Sequence, residues 1–102
     1  MNKIVWRFTV LSLLLFCLSG NIVESAEYNG QDIDGYYYAD AYSYSTHKYY
    51  SVDLEIYGMD FCITFSNGSS VYGYLDDDVI DDPSDIPGTD SRGIYWSFSI
   101  DL

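Results

Sequence analysis

The feature that most constrains this fold is a two-residue alternation of apolar and polar side chains after residue 33. In residues 49–57 the even-numbered positions are apolar or aromatic, and the odd-numbered ones are polar or tyrosine. Similar alternation recurs in residues 35–44, 61–65, 70–75 and 94–102. Because successive side chains of a strand point to opposite faces, this period predicts half-buried β-strands. On the last strand the predicted inward set is Ile94, Trp96, Phe98, Ile100 and Leu102.

The Asn67-Gly68 turn tests the register of two of these strands. A two-residue loop would place the apolar sets of the two strands on opposite faces. A three-residue loop over residues 66–68 pairs Phe65 with Ser69, Ile63 with Val71 and Phe61 with Gly73, which restores one apolar face. It also places Gly68 in the left-handed conformation that a bulged turn requires. The burial pattern therefore favours the bulged turn.

About five strands joined by short links predict an all-β fold, a small antiparallel meander closed into a barrel or folded into a sandwich. A single twisted sheet would leave its apolar face exposed, which is why closure is expected. The connection between Leu75 and Ile94 is predicted to be a loop, because it carries seven aspartates and both prolines. Val79 and Ile80 in its middle are expected to form a short turn that plugs one barrel end.

The first 26 residues have the organisation of a secretory signal peptide. Lys3 and Arg7 precede an apolar run over residues 8–18, and small residues follow up to Ala26. The apolar run is shorter than the roughly 20 residues that a spanning helix needs. We therefore expect cleavage between residues 20 and 26, a secreted or periplasmic location, and a single acidic, tyrosine-rich β domain over residues 27–102.

The charge of residues 27–102 limits the classes of partner. Lys48 and Arg92 are the only cations there against 15 acids, a formal net charge of −13 with histidine neutral. Nucleic-acid binding is not expected, because phosphate contacts need cations. Cys62 is the only cysteine of this part, so no intramolecular disulfide is expected, and its thiol should point to the tyrosine side of its strand.

The acidic connection is the first candidate site. Carboxylates crowded together repel one another, and calcium, which takes six to eight oxygen ligands, would relieve that repulsion. The candidate ligands for Ca²⁺ are Asp76, Asp77, Asp78, Asp81, Asp82 and Asp85. Two alternatives remain open at this stage, a solvated loop that keeps the protein soluble and a docking surface for a basic partner.

The outward tyrosines are the second candidate site. Tyrosine combines a large contact area and a polar tip with a low ordering entropy, as in adaptable binding surfaces. High β-propensity and cross-strand pairing would also explain its abundance. By alternation, the predicted binding face consists of Tyr36, Tyr38, Tyr42, Tyr44, Tyr49, Tyr57, Tyr72, Tyr74 and Tyr95.

These features favour a non-enzymatic binding domain over an enzyme. His47 is the only histidine, no nucleophile motif is present, and a domain of this size has little room for a cleft. The leading hypothesis is recognition of a basic protein partner, for example in the inhibition of a basic secreted enzyme. The alternative is a calcium-dependent structural or adhesive β domain. A third hypothesis is a small carbohydrate-binding module that uses Trp96 or the tyrosines.

Overall fold

The computed structural model describes residues 24–102, and these residues fold into strands without any helix. Eight strands follow one another along the chain, two of which form a small separate sheet. Their bounds are β1 Glu27–Tyr28, β2 Gln31–Asp32, β3 Gly35–Ser43, β4 Lys48–Tyr57, β5 Asp60–Thr64, β6 Ser70–Leu75, β7 Ile86–Asp90 and β8 Tyr95–Ser99. The described part of the chain holds no helix long and apolar enough to cross a membrane.

Strands β3 to β8 form a closed antiparallel barrel in chain order. Each strand pairs with the next, and β3 closes the barrel by pairing with β8 from Asp40↔Ser99 to Ser43↔Trp96. The longest pairing joins β3 and β4, from Gly35↔Ile56 to Ser43↔Lys48. The predicted all-β meander is therefore confirmed, in its barrel form, which leaves no unpaired edge between β3 and β8.

The inward side chains of the barrel are those that the alternation predicts. Of the β8 strand and its continuation, Trp96, Phe98 and Ile100 are buried, and Ile94 is partly buried against them. Leu102 was wrongly placed in this set, because it lies beyond the last strand and is 43% exposed. The full apolar core is Ala26, Ile33, Ala39, Ala41, Val52, Leu54, Ile56, Phe61, Ile63, Leu75, Ile80, Ile86, Trp96, Phe98 and Ile100.

The turn between β5 and β6 has the predicted bulged geometry. Phe61 pairs with Gly73 and Ile63 with Val71, and the Phe65 N–H donates to the Ser69 carbonyl at 2.9 Å. Gly68 has a φ of 88°, a conformation that a residue with a Cβ adopts only with strain. Both the register and the left-handed glycine are confirmed.

Two glycines make room for an aromatic ring inside the barrel. A Cβ on Gly73 would collide first with the Thr89 carbonyl oxygen of β7 and would also lie 2.6 Å from Cζ of Phe61. A Cβ on Gly88 would lie 2.7 Å from Cε2 of the same ring. The freed space lets Phe61 pack edge-to-face on Phe98, with ring centroids 4.9 Å apart. The glycines therefore fit the close packing that protein interiors require.

The segment between Leu75 and Ile94 contains a sixth barrel strand, so its prediction as a loop was wrong. Strand β7 pairs with β6 and β8 despite containing Pro87. Proline lacks an N–H, but the Pro87 carbonyl still accepts a hydrogen bond from the Asp76 N–H at 2.9 Å. Ile86 and Gly88 on either side are buried, so the strand is fixed by the Ile86 side chain and by core rings that pack on Gly88.

The chain before β3 packs against the barrel. Ala26 is fully buried, and its N–H donates to the Gly58 carbonyl at 3.0 Å. Glu27 forms a parallel bridge with Val79, and Ile80 beyond it enters the core while Val79 stays 61% exposed. The folded unit thus includes Ala26, one residue before the predicted start of the domain, whereas residues 1–23 of the predicted signal peptide lie outside the described residues.

Candidate binding surface

The nine predicted tyrosines all lie on the outside of the barrel. Eight are between 53% and 89% exposed, and Tyr42 is partly buried. Because the sheet is closed, its outer face runs around the whole molecule. The nine rings therefore divide over different sides of the barrel and do not form one flat face.

One group of tyrosines gathers where β3 meets β8. The Tyr42 ring contacts Tyr44 edge-on with centroids 5.0 Å apart and Tyr49 with centroids 4.8 Å apart. The Tyr44 N–H donates to the Tyr95 carbonyl at 3.1 Å. Across the outer face, Thr89 pairs with both Tyr95 and Tyr74.

Two carboxylates belong to the same side of the barrel. Asp76 accepts a hydrogen bond from Thr89 Oγ1 at 2.8 Å, and Asp85 accepts one from Ser97 Oγ at 2.6 Å. Hydroxyl groups of barrel strands β7 and β8 thereby fix both acids against the outer face. We call this region the tyrosine–carboxylate surface, which consists of Tyr42, Tyr44, Tyr49, Tyr74, Tyr95, Asp76 and Asp85.

A depression of about 270 Å³ lies within the tyrosine–carboxylate surface. It is lined by Tyr44, Asp76, Asp85, Pro87, Tyr95, Trp96 and Ser97. Two exposed tyrosines, a proline and two carboxylates therefore line one small concavity, with the buried Trp96 behind them. Its size is below the roughly 300–1,000 Å³ of most small-molecule pockets, and suits a single side chain.

The remaining tyrosines lie on another part of the outer face. Tyr36 pairs with Glu55, Glu55 with Cys62, and Cys62 with Tyr72, which forms a row across β3 to β6. A hydrogen bond and the negative charge of Glu55 raise the pKa of Tyr36. Cys62 is a partly buried free thiol in this row, on the tyrosine side as predicted. Tyr38 and Tyr57 are exposed near this row.

The six candidate calcium ligands are not brought together. Asp76 and Asp85 bind hydroxyl groups on the barrel, while Asp82 accepts hydrogen bonds from the Ser84 hydroxyl and N–H, which lower its pKa. The other three, Asp77, Asp78 and Asp81, are exposed. Among residues 24–102, no group of three or more acidic, histidine or cysteine side chains is placed to hold a metal ion.

The sequence reasoning missed the role of Asp90, which it counted among the loop acids. Its side chain is fully buried and forms an ion pair with Arg92 at 2.8 Å. Trp96 Nε1 donates to the same oxygen at 2.9 Å, and the N–H groups of Arg92 and Ile94 donate to the other oxygen at 2.8 and 3.1 Å. Burial raises the pKa of Asp90, but these hydrogen bonds outweigh it and lower the pKa to about 2.

A sequence signal for this role exists in the Asp90-Ser91-Arg92-Gly93 tetrapeptide. Aspartate at the first and glycine at the fourth position are typical of a type I turn. In the structure the Gly93 N–H donates to the Asp90 carbonyl at 2.9 Å, and Gly93 has a φ of 83°. The turn chemistry could have separated Asp90 from the six other aspartates of the connection.

The barrel end next to this turn has a wider aromatic depression of about 580 Å³. Tyr50, Phe65 and Trp96 contact one another there, with ring centroids 5.7 to 6.1 Å apart. Trp96 is only 4% exposed, so its ring does not form an open stacking platform, and the carbohydrate hypothesis is left with the tyrosines. His47 Nδ1 lies 3.4 Å from the Tyr42 hydroxyl.

The chain was compared with known proteins in three ways. No protein-family model, no curated protein and no solved structure is significantly similar to the chain. Its function is therefore argued from the surface itself.

Proposed function

We propose that this protein is an exported, non-enzymatic binding domain that recognises a basic protein partner through the tyrosine–carboxylate surface. The export part rests on the signal-like residues 1–26. The form of recognition that suits an exported acidic domain of this size is the inhibition of a basic secreted enzyme. The calcium-dependent alternative is not favoured, because among residues 24–102 no three acidic, histidine or cysteine side chains are placed to hold a metal ion.

The observation that carries the proposal is the combination of exposed aromatic rings with carboxylates that no cation neutralises. In the described part of the chain, the only ion pair joins Arg92 to Asp90, away from the depression. Asp76 and Asp85 have hydroxyl partners and are exposed to solvent. A positively charged partner would gain electrostatic attraction here, and the tyrosines would supply contact area.

The exposed rings also suit a binding role on energetic grounds. Tyr44, Tyr49, Tyr74 and Tyr95 are between 53% and 74% exposed. Such rings lose little conformational entropy on binding, since a tyrosine has two side-chain torsions and the Tyr42 contacts already order two of its neighbours. Interface energy is concentrated in a few residues, among which tyrosine and arginine are enriched.

The proposal is tested by affinity capture of exported proteins from the source of the chain, with purified exported protein as bait. A double variant, Tyr44→Ser with Tyr95→Ser, removes two rings of the surface. The matched control, Tyr36→Ser with Tyr38→Ser, removes two rings that are 82% and 89% exposed on another part of the barrel. Both variants should stay folded, because exposed substitutions change stability by about 0.5 kcal/mol each.

We expect the wild type and the control variant to capture the same basic protein, and the Tyr44/Tyr95 variant to bind it at least about tenfold more weakly. The captured protein should be released as salt rises from about 50 to 500 mM, because the screening length shrinks. An acidic captured protein, or a basic one whose binding is indifferent to salt and to both Tyr44 and Tyr95, would contradict the proposal.

A further inference from the structure

We infer that the 270 Å³ depression of the tyrosine–carboxylate surface binds an arginine side chain of the partner. This inference rests on the proposed function and names the group that the surface recognises. Its basis is the chemistry of the lining, in which the Tyr44 and Tyr95 rings and Pro87 accompany Asp76 and Asp85.

The aromatic part of the lining selects a flat or cationic group. A guanidinium stacks on aromatic rings and is attracted by their negative faces, an interaction worth more when water is excluded. Tyr44 is 53% exposed and Tyr95 is 61% exposed, so part of each ring is buried in its own surroundings and part is free for contact. The hydrogen bond from the Tyr44 N–H to the Tyr95 carbonyl holds the two residues side by side.

The acidic part of the lining selects positive charge with several donors. In each carboxylate one oxygen, Oδ1, accepts from a hydroxyl, that of Thr89 for Asp76 and that of Ser97 for Asp85. The second oxygen of each acid is left to accept from a ligand. Arginine offers five N–H donors in a planar fork, whereas lysine offers three on a compact ammonium, so arginine is the better match to two carboxylates and two rings.

The two acids of the depression lie just outside the ends of barrel strands, Asp76 after β6 and Asp85 before β7. Their hydroxyl partners, Thr89 and Ser97, belong to β7 and β8. These hydrogen bonds tie both acids to the barrel. A site whose groups are fixed before binding loses less free energy on ordering them.

The experiment is an NMR titration of the exported protein with Nα-acetyl-arginine amide. The neutral control ligand is Nα-acetyl-citrulline amide, which has nearly the same shape without the charge. We expect saturable shifts of the Thr89, Tyr95 and Ser97 amide signals with a dissociation constant of about 1 mM, the range for a ligand of this size. Citrulline amide should bind at least about tenfold more weakly, and Nα-acetyl-lysine amide should fall between the two.

Paired variants locate the site. The double variant Asp76→Asn with Asp85→Asn keeps an acceptor oxygen for Thr89 and Ser97 but removes both charges. It should weaken the binding of arginine amide at least about tenfold. Asp77→Asn with Asp78→Asn removes the same charge from exposed neighbours outside the lining, and should change the affinity less than about threefold. The inference would be overturned if both pairs weakened arginine amide binding equally, or if the shifted signals were confined to other strands. It would also be overturned if citrulline amide or lysine amide bound as tightly as arginine amide.

The outcomes for the depression and for the proposed function are separable. Loss of arginine amide binding together with a retained, Tyr44- and Tyr95-dependent basic partner would overturn the arginine site and leave the proposed function standing. Arginine amide binding at the depression without any basic partner would overturn the proposed function and leave the site.

Discussion

The buried carboxylate of Asp90 gives the sharpest test of how the barrel is stabilised. Replacing it by asparagine keeps its size but removes the charge and one acceptor oxygen. The asparagine oxygen can still accept from the two backbone N–H groups. Its NH2 group then faces Arg92 and Trp96, both of which donate to Asp90 in the structure. Two donors therefore lose their acceptor at the start of the β7–β8 turn.

The magnitude follows from two estimates. An unsatisfied buried donor costs about 1–3 kcal/mol, and the Trp96 N–H is buried whereas the Arg92 side chain, 56% exposed, can turn to water. Independently, lowering the pKa of Asp90 from its ordinary 3.8 to about 2 corresponds to about 2 kcal/mol of stability in the charged state. We therefore expect Asp90→Asn to lower the free energy of unfolding at pH 7 by about 2–4 kcal/mol.

The pH dependence has a definite sign. Because the folded-state pKa of Asp90 is depressed, its contribution is fully present above pH 3.8 and is lost as pH falls toward about 2. Other acids also titrate in this range, so the informative quantity is the difference between wild type and variant. That difference should shrink by about 2 kcal/mol between pH 5 and pH 2.

The assay is urea unfolding followed by tryptophan fluorescence at several pH values, with Asp101→Asn, an exposed acid, as the control. The control should stay within about 0.5 kcal/mol of the wild type. A stability difference for Asp90→Asn that stays constant from pH 5 to pH 2, or that is no larger than the control's, would refute the reasoning.

Four further measurements test the N-terminal packing, two glycines and the calcium alternative. Because Ala26 is buried in the core, mass spectrometry of the exported protein should find a start at or before residue 26, and a start at Glu27 would be inconsistent with this packing. Gly68→Val should cost about 1–3 kcal/mol because its φ is 88°, whereas Gly68→Asn should cost less, so equal thermal shifts would contradict the turn. Gly73→Ala should lower the free energy of unfolding by about 1–3 kcal/mol or more, because a Cβ there would collide with the Thr89 carbonyl oxygen of β7 and with the Phe61 ring, and an unchanged melting temperature would argue against that packing. Calcium at about 2 mM should leave the melting temperature unchanged, since only a ligand of the folded state raises it, and a rise of several degrees would restore the calcium-dependent alternative.

Strands β3, β4, β5, β6 and β8 could be predicted from the sequence because the alternation that marks them is local. Alternation in a half-buried strand fixes which side chains face inward, and one residue of slip would expose all of them. The bulged turn at Gly68 follows from the same argument, since only that loop length keeps Phe61, Ile63 and Phe65 on the side of Val71. The outward direction of the nine tyrosines and of Cys62 is a consequence of this period.

Tertiary structure alone decided how these strands close and which acids share a site. Strand β7 contains Pro87 and follows a segment of aspartates that locally indicates a loop, and it is fixed by the two neighbours between which Ile86 and Gly88 are buried. Asp90 lies in the same acidic run as Asp76 and Asp85, yet closure of the barrel buries it beside Trp96. Closure also brings Tyr44 and Tyr95, 51 positions apart in the chain, to the same depression as those two acids. Local pattern sets the face of each side chain, whereas neighbours across the barrel depend on long-range pairing, which no local pattern encodes.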